Sequence, residues 1–93
     1  MEGKNKLTDF LKSLSDPTRL RIIEYLAETG HLRCVGAISK HVGISQSATS
    51  QHLRILRQSN LVISDRRGYH VHYEVNTEQM EACIRQLNQL VKK

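Results

Sequence analysis

What this sequence lacks narrows it first. It has no apolar run approaching the ~18 residues of a membrane helix, which excludes a protein held in a membrane that way. Its N-terminus, Met1-Glu2-Gly3-Lys4-Asn5-Lys6, carries no apolar stretch, so no secretory leader is expected. Cysteine is scarce: only Cys34 and Cys83 occur. Without export signals they read as reduced thiols of a cytoplasmic protein and not as a disulfide scaffold. Cys-x-x-Cys, Gly-x-Ser-x-Gly, a phosphate loop and His-Glu-x-x-His are all missing. With 93 residues there is also little room for a large self-contained cleft. An enzyme is therefore not expected, nor a cofactor, a small-molecule substrate or a membrane partner. There are no internal repeats and no low-complexity tract. What is present, 39% hydrophobic and 25% charged residues, is ordinary globular composition and excludes disorder. The chain reads as one domain over residues 1–93, short enough to gain stability from a partner subunit.

Acid is nearly absent from one part of the chain. Residues 1–30 hold five basic and five acidic residues, and residues 74–93 hold three of each. Residues 31–73 hold Arg33, Lys40, Arg54, Arg57, Arg66 and Arg67 against Asp65 alone, a net charge of +5. All five histidines, His31, His41, His52, His70 and His72, fall in the same stretch. A cationic module between neutral flanks points to a polyanion, of which nucleic acid is the commonest.

Apolar spacing divides the chain into elements. Leu7, Phe10, Leu11 and Leu14 repeat as one face of a first helix. Asp16 can cap a second helix and Pro17 suits its first turn; Leu20, Ile22, Ile23, Leu26 and Ala27 form its stripe, and Gly30 ends it. Cys34, Val35, Ile38 and Val42 mark a third, shorter helix closed by Gly43. Ser45 is the cap of a fourth, predicted over 46–58, with Thr49, His52, Leu53 and Leu56 inward. Two short helices joined by a tight glycine-containing turn form a helix-turn-helix. Residues 61–66 and 69–75 then read as a hairpin turning at Arg67-Gly68. Its second strand puts Tyr69, Val71, Tyr73 and Val75 on one face and His70, His72 and Glu74 on the other. A last helix over 77–91 carries Met80, Cys83, Ile84, Leu87, Leu90 and Val91 at coiled-coil spacing. The predicted class is mainly α with a small β-hairpin wing, a winged helix-turn-helix of order α-α-α-α-β-β-α. Its DNA-binding module covers about 34–75, flanked by dimerisation helices at about 6–14 and 77–91.

The predicted fourth helix carries the most chemistry. A helix fits the DNA major groove, and its early turns meet base edges. Gln46, Ser47, Ser50 and Gln51 are hydrogen-bonding residues on the outward face there, and glutamine can pair bidentately with adenine. Arg54 and Arg57 further along, Lys40 on the third helix, and Arg66 and Arg67 at the wing tip are placed to meet phosphates. His52 faces inward and is read as a hydrogen-bonded histidine of the interior, and His41 as exposed.

Three stretches are specific when taken together: Leu14-Ser15-Asp16-Pro17-Thr18-Arg19-Leu20-Arg21-Ile22-Ile23, Gly43-Ile44-Ser45-Gln46-Ser47-Ala48-Thr49-Ser50-Gln51-His52-Leu53 and Gly68-Tyr69-His70-Val71-His72-Tyr73. Over about residues 7 to 91 the chain resembles the arsenic-repressor (ArsR/SmtB) family of transcription factors. The resemblance implies a dimer joined through the first and last helices, which represses an operon and leaves DNA when an inducer binds. Two-fold protein symmetry then calls for an inverted-repeat, double-stranded operator. Many members carry Cys-x-Cys at the third helix, where two thiolates help to bind a soft metal or arsenic(III). Here Cys34 is followed at that spacing by Gly36. Others bind zinc between the last helices, and the matching positions here are Thr77, Gln79, Leu90 and Lys93, none a good ligand. No metal site is expected, His70 and His72 on one strand face being the weak remaining candidates. Cys34 and Cys83 are candidates for a thiol switch, and the competing reading of Cys83 is a buried apolar residue at the dimer interface. A winged-helix module that docks proteins without reading DNA is the alternative function.

Overall fold

The computed structural model describes residues 6–30 and 32–92; His31, one of the histidines of the cationic stretch, lies outside them. The elements in order are α1 (Lys6–Leu14), α2 (Pro17–Thr29), β1 (Arg33–Cys34), α3 (Val35–Val42), α4 (Gln46–Gln58), β2 (Val62–Arg67), β3 (His70–Val75) and α5 (Thr77–Val91). Local chemistry sets most of these limits. The Asp16 carboxylate caps α2 by accepting from the Arg19 backbone N–H at 3.0 Å, with Pro17 at the first helical position, where no donor is missed. The Ser45 hydroxyl accepts from the Ala48 N–H at 3.0 Å and starts α4. Asn76 does the same for α5 through Gln79 at 3.2 Å. Between α3 and α4 the chain reverses at Gly43, whose φ of +77° an L side chain would strain. Its N–H donates to Ser39 O at 2.8 Å, so the turn between the two helices is closed by backbone.

The core gathers the inward stripes. Ile22, Ile23 and Leu26 of α2 meet Ile38 and Val42 of α3, Leu53 and Leu56 of α4, and Leu61 and Val62 at the wing root, with Phe10 and Cys83 contributed by α1 and α5. Each buried aliphatic side chain contributes about 1.5–3 kcal/mol. Thr49 is fully buried too, and its hydroxyl donates to Ser45 O at 2.8 Å, so it brings no unmet polar group inside.

Four details differ from the sequence reading. Arg33 and Cys34 form a third strand: β1 pairs antiparallel with β3, which becomes the middle strand in the order β1-β3-β2. Cys34 is thus strand and N-cap, not part of the α3 stripe. The hairpin turns one residue later than expected, at Gly68-Tyr69, because Arg67 pairs with His70. Gly68 has φ +64° and Tyr69 no positive φ, the φ signs of a type II′ turn, which matches strand twist. Tyr69 therefore leaves the inward row and stands 98% exposed. Last, the stripe on α5 splits. Met80, Cys83 and Leu87 pack on the chain's own core, while Ile84, Leu90 and Val91 are exposed. Cys83 is buried within the chain and not in an outward seam.

The chain is long, 46 × 25 × 25 Å, with a radius of gyration of 13.7 Å against about 12 Å for a compact chain of this length. Among the described residues no helix is long and apolar enough to cross a membrane.

Candidate nucleic-acid interface

Burial of Thr49, Leu53 and Leu56 fixes which way α4 faces. Gln46, Ser47, Ser50, Gln51, Arg54 and Arg57 are all exposed as a result. The Ser45 side chain caps the first turn, so the four hydrogen-bonding side chains sit on the first two turns of the helix, and the two arginines follow on the later ones. Ile55, also exposed, adds an apolar contact that the polar reading of this face did not include.

The wing stands beside this helix. Arg57 Nη1 donates to Ser64 Oγ on β2 at 3.2 Å, tying the end of α4 to the wing. Side chains alternate along a strand, so Ser64 and Arg66, with Tyr73 and Val71 opposite, face α4; Asp65 and Arg67, with His72 and His70 opposite, face away. Between the first turns of α4 and β3 lies a groove of about 410 Å³, lined by Gln46, Ser50, Cys34, Tyr69, Val71 and Tyr73 among others. The structure thus brings Gln46 and Ser50 together with the wing. The two wing arginines differ. Arg67 is paired through Nε with Asp65 at 3.0 Å; the side chain of Arg66 has no ion-pair or hydrogen-bond partner among the described residues. Lys40 is exposed on the last turn of α3, beside His41, which is exposed and stacks on Tyr25 with ring centroids 4.1 Å apart.

His52 is turned inward and half-buried. Its Nδ1 lies 3.4 Å from Arg19 Nη1 and 3.9 Å from Asp16 Oδ2. The backbone N–H of Arg19, aided by the charge of Arg19, holds the Asp16 carboxyl below the usual carboxylate range.

His70 and His72 share a face, with ring centroids 6.4 Å apart and edge-on, but among the described residues no group of three or more His, Cys, Asp or Glu could hold an ion. His72 Nδ1 is buried without a hydrogen-bond partner. Cys34 is half-buried at the start of α3, with Gly36 where a second thiol would stand. Cys83 is buried, accepts a hydrogen bond from Gln79 Nε2 at 3.7 Å, and burial pushes its thiol pKa up.

Three residues here were missed from sequence: Ile55, Tyr69 and Arg19. Tyr69 left a signal, an aromatic beside a turn glycine. The side chain of Arg19 left none, since a first-turn arginine is usually solvated.

Comparison with known proteins agrees with this geometry. The family described as "Bacterial regulatory protein, arsR family" matches residues 16–64. The transcriptional repressor SdpR of Bacillus subtilis is 31% identical over 87 residues, covering 94% of each chain. The crystal structure of NolR from Sinorhizobium fredii superposes with a TM-score of 0.73 at 33% identity, over 98% of this chain and 86% of that one. A solution structure of a homodimeric winged helix-turn-helix DNA-binding domain from Mycobacterium bovis, described as a possible ArsR-family regulator, gives 0.76 at 26% identity, over 95% and 79%. With the helix-turn-helix, the wing and the matched segment all in place, the chain belongs to the arsR family, a family of transcriptional regulators and not of enzymes.

Proposed function

We propose that the chain is a homodimeric repressor that binds an inverted-repeat operator through α4 and the wing and leaves it on a signal. The observation that carries this is the capped, outward polar face of α4 lying against a cationic wing. Gln46, Ser47, Ser50 and Gln51 read base edges; Arg54, Arg57, Lys40, Arg66 and Arg67 meet phosphates. Exposed Leu11, Ile84, Leu90 and Val91 on α1 and α5 support the dimer, as does the homodimeric relative. Half-sites then lie about 10 base pairs apart, centre to centre.

The signal is not a metal held by the sets of the family, since Gly36, Thr77, Gln79 and Leu90 stand at ligand positions. Of the two thiols, Cys34 is ahead of Cys83 as a sensor, because Cys83 is buried with its pKa raised and Cys34 borders the groove of the reading helix. Oxidant should then release the wild type and Cys83→Ser from DNA and leave Cys34→Ser bound.

Selection of duplexes from a random pool tests the function. An enriched inverted repeat whose affinity falls steeply with salt is the expected result. No enrichment and no salt-dependent binding would favour a protein-docking module instead.

A further inference from the structure

Arg19 and His52 take no part in the DNA surface, yet they meet at the junction of three helices. The Arg19 guanidinium is spread over two of them. Nε donates to Ser13 O at 2.7 Å and Nη2 to Lys12 O at 3.4 Å, both carbonyls at the end of α1. Nη1 faces Nδ1 of His52 on α4 at 3.4 Å. Carbonyls of the last helical turn carry partial negative charge, so a cation suits them; Lys12 O also accepts from the Ser15 N–H at 3.2 Å and the Ser15 hydroxyl at 2.8 Å. For Nδ1 to accept, the imidazole is neutral with its proton on Nε2. A second bridge runs alongside: the hydroxyl of Ser13, buried in α1, is hydrogen-bonded to that of Ser59, which caps the end of α4.

We infer that Arg19 is a positioning residue that, through His52, holds the reading helix at one bearing to the helix α1 of the dimer contact. His52 directly follows Gln51 and lies two residues from Ser50, so fixing its ring fixes the rotation of α4 about its axis just where bases are read. In a dimer the same bridge, made twice, sets the distance and angle between the two reading helices. Its functional product is discrimination between operators of different spacing, which rests on the inverted-repeat reading above. Only a guanidinium presents donors in a planar fork that reaches all three acceptors; a lysine ammonium, though it keeps the charge, does not.

The test uses the full chain, the duplex enriched from the random pool, and the same duplex with its spacer lengthened by one or two base pairs. An added base pair turns the second half-site by about 35°, so wild type should prefer the original spacing by about tenfold or more. Arg19→Met, Arg19→Lys and His52→Leu should lower that preference to about threefold. His52→Gln, whose Oε1 still accepts from the guanidinium, should restore it. Loss of folded protein would weaken binding to every spacing by one factor and leave the ratio alone, and loss of a phosphate contact would change the salt slope. An unchanged ratio in Arg19→Met and His52→Leu overturns the inference and leaves the function standing, as does a wild type that enriches an inverted repeat without spacing preference. If no duplex is enriched, both readings fall. Should Arg19→Met fail to fold, the two His52 variants decide alone, since they leave the α1 carbonyls bound.

Discussion

α4 and α5 are amphipathic helices of 13 and 15 residues, and each lays one side on the same core. Their outward sides are opposites. α4 turns glutamine, serine and arginine to solvent; α5 turns Ile84, Leu90 and Val91, 45%, 65% and 84% exposed, beside Leu11 of α1 at 47%. Water accepts the first surface as it stands. The second leaves apolar area wet that would yield about 1.5–3 kcal/mol per side chain if fully buried. The same helical scaffold thus carries a polar outward surface, which the proposed function assigns to DNA, and an apolar one, which it assigns to a second copy of the chain. What separates them is only which residue types sit at the outward positions.

The sharpest way to break this contrast is to put charge on the α5 side. Ile84→Glu should keep a cooperative unfolding transition, sediment as a monomer at micromolar concentration, and bind the selected duplex ~100-fold or more weakly, because two linked half-site contacts become one. Leu87→Glu is the poorer choice, since Leu87 also packs on the chain's own core. If Ile84→Glu remains a dimer, the apolar side of α5 is not the contact. On α4, Gln51→Ala should cost about 1–3 kcal/mol of discrimination at one base position and leave the salt slope unchanged, measured by titrating single-base variants of the duplex. Arg66→Ala should lower affinity for all sequences alike and reduce the salt slope by about 1. Arg67→Ala should do less, because Asp65 already shares its charge, and Asp65→Ala should tighten binding. The smallest effect concerns the joint between the two surfaces. The carboxyl of Asp16 is held below its ordinary range in the folded state. Its contribution to stability is therefore complete above the ordinary carboxylate value and is lost as pH falls through the lower folded one. Asp16→Asn keeps a cap acceptor, so its thermal midpoint should fall less than that of wild type below about pH 4.

Capped and periodic segments were legible from sequence. Asp16-Pro17 and Gly30 gave both ends of α2, and Ser45 with Thr49, Leu53 and Leu56 gave the start and inward side of α4, because these signals are local. β1 was not legible. Two residues carry no period, and Arg33-Cys34 become a strand only because β3 offers them an edge. The split stripe on α5 has a similar cause. Spacing of three and four marks apolar residues but not which neighbour they meet, and Cys83 meets the chain's own core. On α4 the exposed positions Gln46, Ser47, Ser50, Gln51, Arg54 and Arg57 followed from the inward ones by exclusion. The pairing of the wing arginines did not: nothing in the order of residues separates Arg67, tied to Asp65, from Arg66. The Arg19 fork was hidden for the same reason, its acceptors lying six, seven and 33 positions away.

β1 pairs with β3 only at His72 and Tyr73, whereas β2 follows β3 as far as Arg67 and His70. The wing is therefore a cantilever, three strands thick at the root and two beyond it. A two-stranded ribbon twists more readily than a wider sheet, so load applied at Gly68-Tyr69 is taken up between the tip and residue 71 and not in the core. Deformation of the tip is thereby kept from passing to α4. Amide exchange should record the stiffness step along β3, fast at His70 and slow from Tyr73 onward.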